Sequence, residues 1–450
     1  MFELRRAIQR RQWQLENDNQ LIAAELMEML DINRAVLNNL LLLMSEADVD
    51  IENQAEFLAE SLASYRILAR DLYQLNAGDK QGHDFAEIAA EILKGEWTAA
   101  SKLALVMETR ALAEKQQEHS EKQQEEEGQP ARSERAAIAE YILGQIALVR
   151  ANYSAAARHF AAAAEYSGET TPEGQTFNEA AADALYADTK SHWNERSLQE
   201  AVDIYRRVLD NRPRNSSPEL WAQTQNKLGN AILRLGVGTN SIPLITGAVS
   251  AFEAALEVQT PAADPKAWPA NKADLADALV QLGNRLNEQK DLHDAIDAYQ
   301  GVLAWVRFED DPGFWVELQT SLGNALWSLG RQETGPDALS EAIAVFQEAL
   351  NRIDRERQLR DWGAAQNNIG AAYFLLAERV EPVKNAKNAV AAFEASLSAY
   401  REASAVYFIT GVRKNLAGAQ ALLQQSLEQQ PPERTPAGAS SRNTSSTPIR

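Results

Sequence analysis

The sequence predicts an all-α protein of stacked helical hairpins, and three kinds of observation support this fold class. Tryptophans recur every 47 residues without insertion or deletion, at Trp221, Trp268, Trp315 and Trp362. Other columns keep the same step, among them Leu228, Leu275, Leu322 and Ile369, and Phe252, Tyr299, Phe346 and Phe393. Inside each copy, apolar residues recur at the spacings of one helix face. Turn-forming residues such as Asp311-Pro312-Gly313 separate these runs, so the chain is an internal repeat of helices.

Each copy is predicted to form one helical hairpin. In the first tryptophan copy, helix A is expected at about 218–235 and helix B at about 244–258. Small residues such as Gly229 and Ala248 should let the two helix backbones approach closely, and the aromatic column is expected to fill the gap against the next hairpin. Because a lone hairpin cannot bury both of its apolar faces, the hairpins should stack into a solenoid.

The landmark residues resemble the signature of the tetratricopeptide repeat (TPR) family. The copy at 137–170 has the family's usual spacing between its landmarks, Leu143, Gly144, Ala156, Phe160 and Ala163. In the tryptophan copies the landmarks lie seven residues further apart, which indicates a longer first helix or a longer loop. The resemblance implies a right-handed α-solenoid of stacked helix-turn-helix repeats.

The repeat pattern assigns most of the chain to this array. A degenerate hairpin is predicted at 83–113, because the segment that begins at Trp97 is similar to the one that begins at Tyr153. Three further segments make up the array: a TPR-like repeat at 137–170, 47-residue TPR-like repeats over 171–403, and a capping helix at 404–428.

Two segments lack the composition of a packed repeat. Residues 114–135 are rich in Gln and Glu and contain no Val, Ile, Leu or aromatic residue. Such a segment cannot offset its ordering entropy by burial, so we expect a charged linker or a solvated helix extension. Residues 429–450 are rich in Pro, Ser and Thr and are predicted to be disordered.

Residues 1–80 are predicted to form long N-terminal helices. A strict heptad joins Ile8, Leu15, Ile22, Met29, Val36 and Leu43, and a second, half-polar seam contains Leu26 and Leu40. Two interpretations are open: a parallel coiled coil that joins two copies of the chain, or packing on the following 52–75 helix of the same chain. We interpret the basic residues Arg5, Arg6, Arg10 and Arg11 as a solvated helix face rather than a membrane-binding one.

Composition limits the classes of function. The 450-residue chain has 64 acidic and 44 basic residues and a formal net charge of −20. We therefore expect no binding to nucleic acid, because that needs a basic surface. The absence of Cys excludes disulfides and cysteine-ligated metals. We recognise no signal peptide and no apolar run long enough to span a bilayer, so a cytoplasmic protein without membrane binding is expected.

The sequence offers no recognisable catalytic residue. It contains neither a Gly-rich phosphate loop nor a Gly-x-Ser-x-Gly nucleophile motif. No two of the histidines have the spacing of metal ligands; they are His83, His119, His159, His192 and His293. We therefore predict a non-enzymatic protein that needs no metal or other cofactor.

The TPR resemblance implies that the first helices of the repeats line a groove that receives extended peptides. The candidate contacts flank the Leu-Gly landmark or lie one turn further on: Asn226, Asn230, Arg234, Asp277, Thr320, Asn324, Trp327, Asn367 and Phe374. A row of asparagine amides can both donate to and accept from a peptide backbone. The alternative is that these amides tie neighbouring helices together. The tryptophan column is expected to pack between repeats, with an exposed recognition ladder as its alternative.

These observations predict a protein-interaction scaffold or adaptor that binds a peptide segment of a partner protein. A self-assembling structural protein is one alternative, with homo-oligomers formed through the N-terminal helices or the array ends. A regulatory or sensor subunit of a larger complex is the other.

Overall fold

A computed structural model describes residues 36, 40, 60–71, 83–94, 96–121, 134–191 and 193–429. All regular secondary structure in these residues is helical, which confirms the all-α prediction. The helices are, in chain order, α1 (60–71), α2 (His83–Leu93), α3 (Trp97–Glu121), α4 (Glu134–Val149), α5 (Tyr153–Ser167), α6 (Pro172–Ser191), α7 (Glu195–Asn211), α8 (Pro218–Gly238), α9 (Ile242–Leu256), α10 (Ala267–Leu286), α11 (Gln289–Leu303), α12 (Pro312–Gln332), α13 (Asp337–Arg352), α14 (Leu359–Ala377), α15 (Pro382–Glu402) and α16 (Val406–Glu428).

The chain falls into two compact units, Met1–Gln332 and Glu333–Arg450. The described helices of the first unit are α1 to α12, and those of the second are α13 to α16. Within each unit, a helix packs chiefly against its neighbours in sequence. Alternate helices also touch, namely α6 with α8, α8 with α10, α10 with α12, and α14 with α16. Within each unit this is the stacking order of a helical repeat array, in which each hairpin contacts only its neighbours.

Local sequence signals explain where the helices begin. The Asn152 side chain accepts from the backbone N–H of Ala155 at 3.1 Å and caps α5, and Asn194 caps α7 in the same way through Ser197. Proline occupies one of the first two positions of α8, α9 and α15, where its missing N–H costs no helical hydrogen bond. The loops that precede these helices therefore end in residues that are suited to start a helix.

The aromatic residues of the repeat pack against the small residue of their own hairpin. A Cβ atom added at Gly229 of α8 would lie 2.7 Å from a ring carbon of Phe252 on α9. Gly370 lies equally close to Phe393, and Gly144 to Phe160. The glycine therefore makes room for the ring at the point where the two helices of one hairpin cross.

Three of the four repeat tryptophans pack against the loop that precedes their first helix, and the fourth, Trp268, meets Trp305 beyond the end of α11 at 5.8 Å. The Arg214 guanidinium lies 5.1 Å from the Trp221 ring centroid. Phe308 meets Trp315 edge-on at 5.5 Å. In the second unit, Arg355 lies 5.2 Å from the Trp362 ring. These tryptophans pack against inter-hairpin loops and do not form an exposed ladder.

The N-terminal seam is described at two positions. Val36 and Leu40 are buried in one core cluster with Leu62, Tyr65 and residues of α2, α3 and α4. At these positions the seam packs within its own chain. The rest of the predicted 1–80 seam and the 429–450 tail beyond Gln429 lie outside the described residues. Within 114–135, α3 continues to Glu121 and α4 begins at Glu134.

Candidate ligand-binding face

The predicted contact residues lie on the first helices of consecutive hairpins. In the first unit these helices are α6, α8, α10 and α12, and we call their shared surface the first-helix face. The residues of this face are Asn226, Asn230 and Arg234 on α8, Asp277 on α10, and Thr320, Asn324 and Trp327 on α12. Asn367 and Phe374 lie on α14 of the second unit.

An ion-pair network closes the junction between α6 and α8. The Lys227 Nζ atom donates to Glu179 Oε1 and to Asp183 Oδ2, both at 2.7 Å. Arg212 donates to Glu179 Oε2 at 2.6 Å, and the Tyr205 hydroxyl donates to Asp183 Oδ1 at 2.6 Å. Each of the four carboxylate oxygens therefore has a donor, and Lys227 links the two first helices.

Burial and neighbouring charges shift the pKa values of the side chains in this network in opposite directions. Burial raises the pKa of Asp183, and Lys227 and Tyr205 offset only part of that rise. Burial also acts to raise the pKa of Glu179, but Lys227 and Arg212 outweigh it and lower that pKa. For Lys227 itself burial would lower the pKa, yet the two carboxylates hold it above its ordinary value. The lysine is therefore kept protonated between two acidic side chains.

Asparagine side chains close the next junction, between α8 and α10. The Nδ2 atoms of Asn226 and Asn230 both donate to Asp274 Oδ2 at 3.0 Å. Asp274 follows Lys227 by one repeat, and the two asparagines follow Glu179 and Asp183 by one repeat. The same three positions thus meet at both junctions, but here the donors lie on the first helix of the pair and the acceptor on the second.

The junction between α10 and α12 has a different arrangement. Asp277 is exposed, and its Oδ1 accepts from the Tyr299 hydroxyl at 2.5 Å. Burial raises the pKa of Asp277 to about 6, Tyr299 opposes the rise, and the carboxylates of Asp274 and Glu317 add to it. Protein atoms therefore surround this carboxylate although solvent still reaches it. Ser321 interacts with Tyr299, and among the described residues no side chain of α12 donates to Asp277.

The other predicted residues of the first unit are partly engaged by the protein itself. Arg234 donates to the backbone carbonyl of Thr189 at the end of α6. The Thr320 hydroxyl donates to the Val316 carbonyl of its own helix at 2.8 Å. Trp327 is half-buried, with the Arg331 guanidinium 4.9 Å from its ring centroid. Asn324 is exposed on the first-helix face.

In the second unit the predicted residues face the last helix. Asn367 Oδ1 accepts from Asn415 of α16 at 3.1 Å. Phe374 packs against the apolar core that α14, α15 and α16 share, near Gly418. Both side chains therefore have partners within the chain.

A second pattern, which the sequence reasoning missed, accompanies the junctions. In some hairpins the small residue of the first helix is Ala, the next residue is Asp, and the aromatic column holds Tyr. In the hairpins between them, these three positions hold Gly, Asn and Phe. The alternating sets are Ala182, Asp183 and Tyr205; Gly229, Asn230 and Phe252; Ala276, Asp277 and Tyr299; and Gly323, Asn324 and Phe346. A buried tyrosine hydroxyl needs an acceptor, which the aspartate supplies, and phenylalanine needs none. Reading three columns together would have found this pattern.

The described residues hold no metal-binding group of three or more His, Cys, Asp or Glu side chains. The His159 Nδ1 atom pairs with Glu140 Oε2 at 2.7 Å, which ties α5 to α4. None of the helices in the described part of the chain is long and apolar enough to cross a membrane.

No model of a known protein family matches the chain, and no curated protein matches it either. Among solved structures, a Rap protein complexed with competence and sporulation factor is 14% identical and covers 87% of this chain and 99% of its own, with a TM-score of 0.31. The TPR2AB domain–pHSP90 complex of yeast Sti1 is 16% identical (63% and 98% covered, TM-score 0.22). Yeast Tom70 is 13% identical (95% and 96% covered, TM-score 0.22). At these TM-scores the neighbours assign neither a family nor a function to this chain.

Proposed function

We propose that this protein is a non-enzymatic scaffold that holds an extended segment of a partner protein on its first-helix face, near α10 and α12. The observation that carries the proposal is the contrast between adjacent junctions. Asn226 and Asn230 are joined to Asp274, whereas Asp277 is exposed and, in the described part of the chain, accepts from no side chain of α12. A carboxylate whose counterpart, Asp183, links two first helices is therefore accessible to a ligand at this point.

The residue types at the α10/α12 junction suit an extended peptide. The Asn324 amide can donate to a backbone carbonyl and accept from a backbone N–H. Trp327, one turn further along α12, offers a flat aromatic surface of the kind enriched among residues that dominate binding energy. The two side chains together would hold a peptide backbone and one apolar side chain.

The charge of the first-helix face limits which partner segments can bind to it. Asp274, Asp277 and Glu317 give the face around α10 and α12 a negative charge. Lys227 is occupied by its own two carboxylates, and Arg234 donates to the carbonyl of Thr189. A segment that is neutral or basic complements this surface, and an acidic one would be repelled.

The test selects peptides from a random display library on the immobilised full-length protein and measures their affinity by fluorescence anisotropy. Asn324→Trp would fill the face and should weaken the selected peptides about tenfold or more. Gln300→Trp, at an exposed position of α11, is the matched control and should leave their affinity unchanged.

Circular dichroism must show equal melting of both variants, so that a change in affinity reports on the surface and not on folding. Failure to enrich any peptide, or equal affinity for Asn324→Trp and wild type, would contradict the proposal.

A further inference from the structure

One position of the repeat recurs at the junctions between first helices. We use the name bridge position for Lys227, Asp274, Ser321 and Asn415, which occupy equivalent places on α8, α10, α12 and α16. At the α6/α8 and α8/α10 junctions, the bridge residue bonds to two side chains of the preceding first helix. In the second unit it bonds to one, Asn367. At each of these three junctions, the bridge residue therefore links its helix to the preceding first helix through a polar side chain.

The α10/α12 junction begins like the α6/α8 junction but is not completed. Asp277 matches Asp183, and the hydroxyls of Tyr299 and Tyr205 donate to the Oδ1 atoms at 2.5 and 2.6 Å. In the α6/α8 junction, Lys227 then occupies Asp183 Oδ2. In the α10/α12 junction the bridge residue is Ser321, whose side chain is too short to replace a lysine. The Oδ2 atom of Asp277 is left without the ammonium that its counterpart has.

The surroundings of Asp277 favour a cation from outside. Among the described residues, Asp277 forms no ion pair with Lys or Arg, while Asp274 and Glu317 lie close enough to raise its pKa. An incoming ammonium would neutralise this local excess of negative charge, as Lys227 does beside Glu179 and Asp183.

We propose that Asp277 binds the side-chain ammonium of a lysine in the partner peptide, in the place that Lys227 takes beside Asp183. The proposal rests on the peptide-binding function above and names the residue that gives it specificity. A single open carboxylate oxygen suits the point-like lysine ammonium better than the arginine fork, which pairs best with both oxygens at once.

The first test uses short peptide pools in which only the central residue is fixed, as lysine, arginine, norleucine or glutamate. Wild-type protein should retain the lysine pool about tenfold better than the norleucine pool, since a charge-assisted hydrogen bond is lost. Asp277→Asn should remove this preference. Asp297→Asn removes the same charge from an exposed site on the second helix of the same hairpin and should preserve it.

The second test closes the junction from within. Ser321→Lys places a lysine at the bridge position, where Lys227 stands in the earlier junction. Its ammonium should occupy Asp277, abolish the preference for the lysine pool and lower the pKa of Asp277 in an NMR titration. Ser321→Met, of similar length but without charge, should keep the preference.

Four outcomes separate the two proposals. Loss of the lysine preference in Asp277→Asn and Ser321→Lys, with Asp297→Asn unchanged, supports the assignment. Equal retention of the lysine and norleucine pools, with Asn324→Trp still blocking binding, overturns the lysine inference and leaves the scaffold function standing. A lysine preference that survives Asp277→Asn also overturns the inference. Retention of no pool at all contradicts the scaffold function itself.

Discussion

The α6/α8 and α10/α12 junctions start from the same carboxylate–tyrosine pair and end in opposite ways. Asp183 meets a lysine from the next first helix, whereas Asp277 remains accessible. Two repeats separate these aspartates, and Lys227 against Ser321 is one of the differences between their surroundings. A repeat protein can therefore use one scaffold both to tie its helices together and to present a polar site, by changing the bridge residue and the residues around it.

The largest effect is expected from the buried cation of the closed junction. Arg212 is 5% exposed and binds both Glu179 and Thr224, whereas the equivalent residue two repeats on is Val306. Arg212→Met should destabilise the protein by about 3 kcal/mol, because it leaves part of a buried ion pair unmatched. Urea denaturation followed by circular dichroism measures the loss. Val306→Met is the control, and similar losses for the two variants would argue against a special role of the ion pair.

The next effect concerns the contact between glycine and aromatic ring that distinguishes the two hairpin types. Gly229→Ala would place a Cβ atom 2.7 Å from the Phe252 ring and should cost about 1–3 kcal/mol.

Gly247→Ala on α9 serves as the control for this series, because the nearest side-chain atom would be 3.9 Å away. This substitution should stabilise the helix by about 0.5–1 kcal/mol through its higher helix propensity. If Gly229→Ala melts no lower than Gly247→Ala, the contact between Gly229 and the Phe252 ring does not limit stability.

A smaller effect is expected from the tyrosine hydroxyls. Tyr299→Phe removes the hydrogen bond that restrains the pKa of Asp277, so this pKa should rise further above about 6. The loss of stability should be about 1 kcal/mol. Tyr205→Phe leaves Lys227 beside Asp183, so the aspartate keeps its main charged partner. NMR titration of the carboxyl groups compares the two, and an equal pKa rise at Asp183 and Asp277 would remove the distinction between the junctions.

The smallest effect is a dependence of stability on pH. The pKa of Asp277 is raised from 3.8 to about 6, so between these values the folded protein binds more protons than the unfolded chain. Wild-type stability should therefore fall as pH rises through this window, and Asp277→Asn, which does not titrate, should gain on wild type. Because the side chain is exposed to solvent, we expect less than about 1 kcal/mol. Parallel melting temperatures at pH 4.5 and pH 7.5 would count against the raised pKa.

The helices were predictable because their signals are local. Apolar spacing and turn residues placed helix A at about 218–235 and helix B at about 244–258, and the structure has α8 at Pro218–Gly238 and α9 at Ile242–Leu256. Helix propensity does not fix the last turn of a helix, so the ends differ by a few residues. The contact of the aromatic ring with the glycine of its own hairpin was not predictable, because the repeat spacing is the same for contacts within and between hairpins.

The candidate site was only partly predictable. Asn226, Asn230 and Asp277 do lie together on first helices, yet the two asparagines bond to Asp274. For Asn226 and Asn230, these bonds match the alternative interpretation, in which the amides tie neighbouring helices together. Asp277, chosen for specificity, is the member that remains accessible. The spacing of residues along a helix predicts the face on which a side chain lies, but it does not predict which side chain of the neighbouring helix lies opposite.

The sequence by itself determined the hairpin repeat, because its columns report spacing along one helix and burial on one face. Only the tertiary structure decided which polar side chains are joined and which are accessible. That outcome depends on side-chain length and charge across two helices about one repeat apart in sequence, as between Lys227 and Asp183. Lysine reaches the neighbouring carboxylate and serine does not, so the same aspartate column is closed at one junction and open at another.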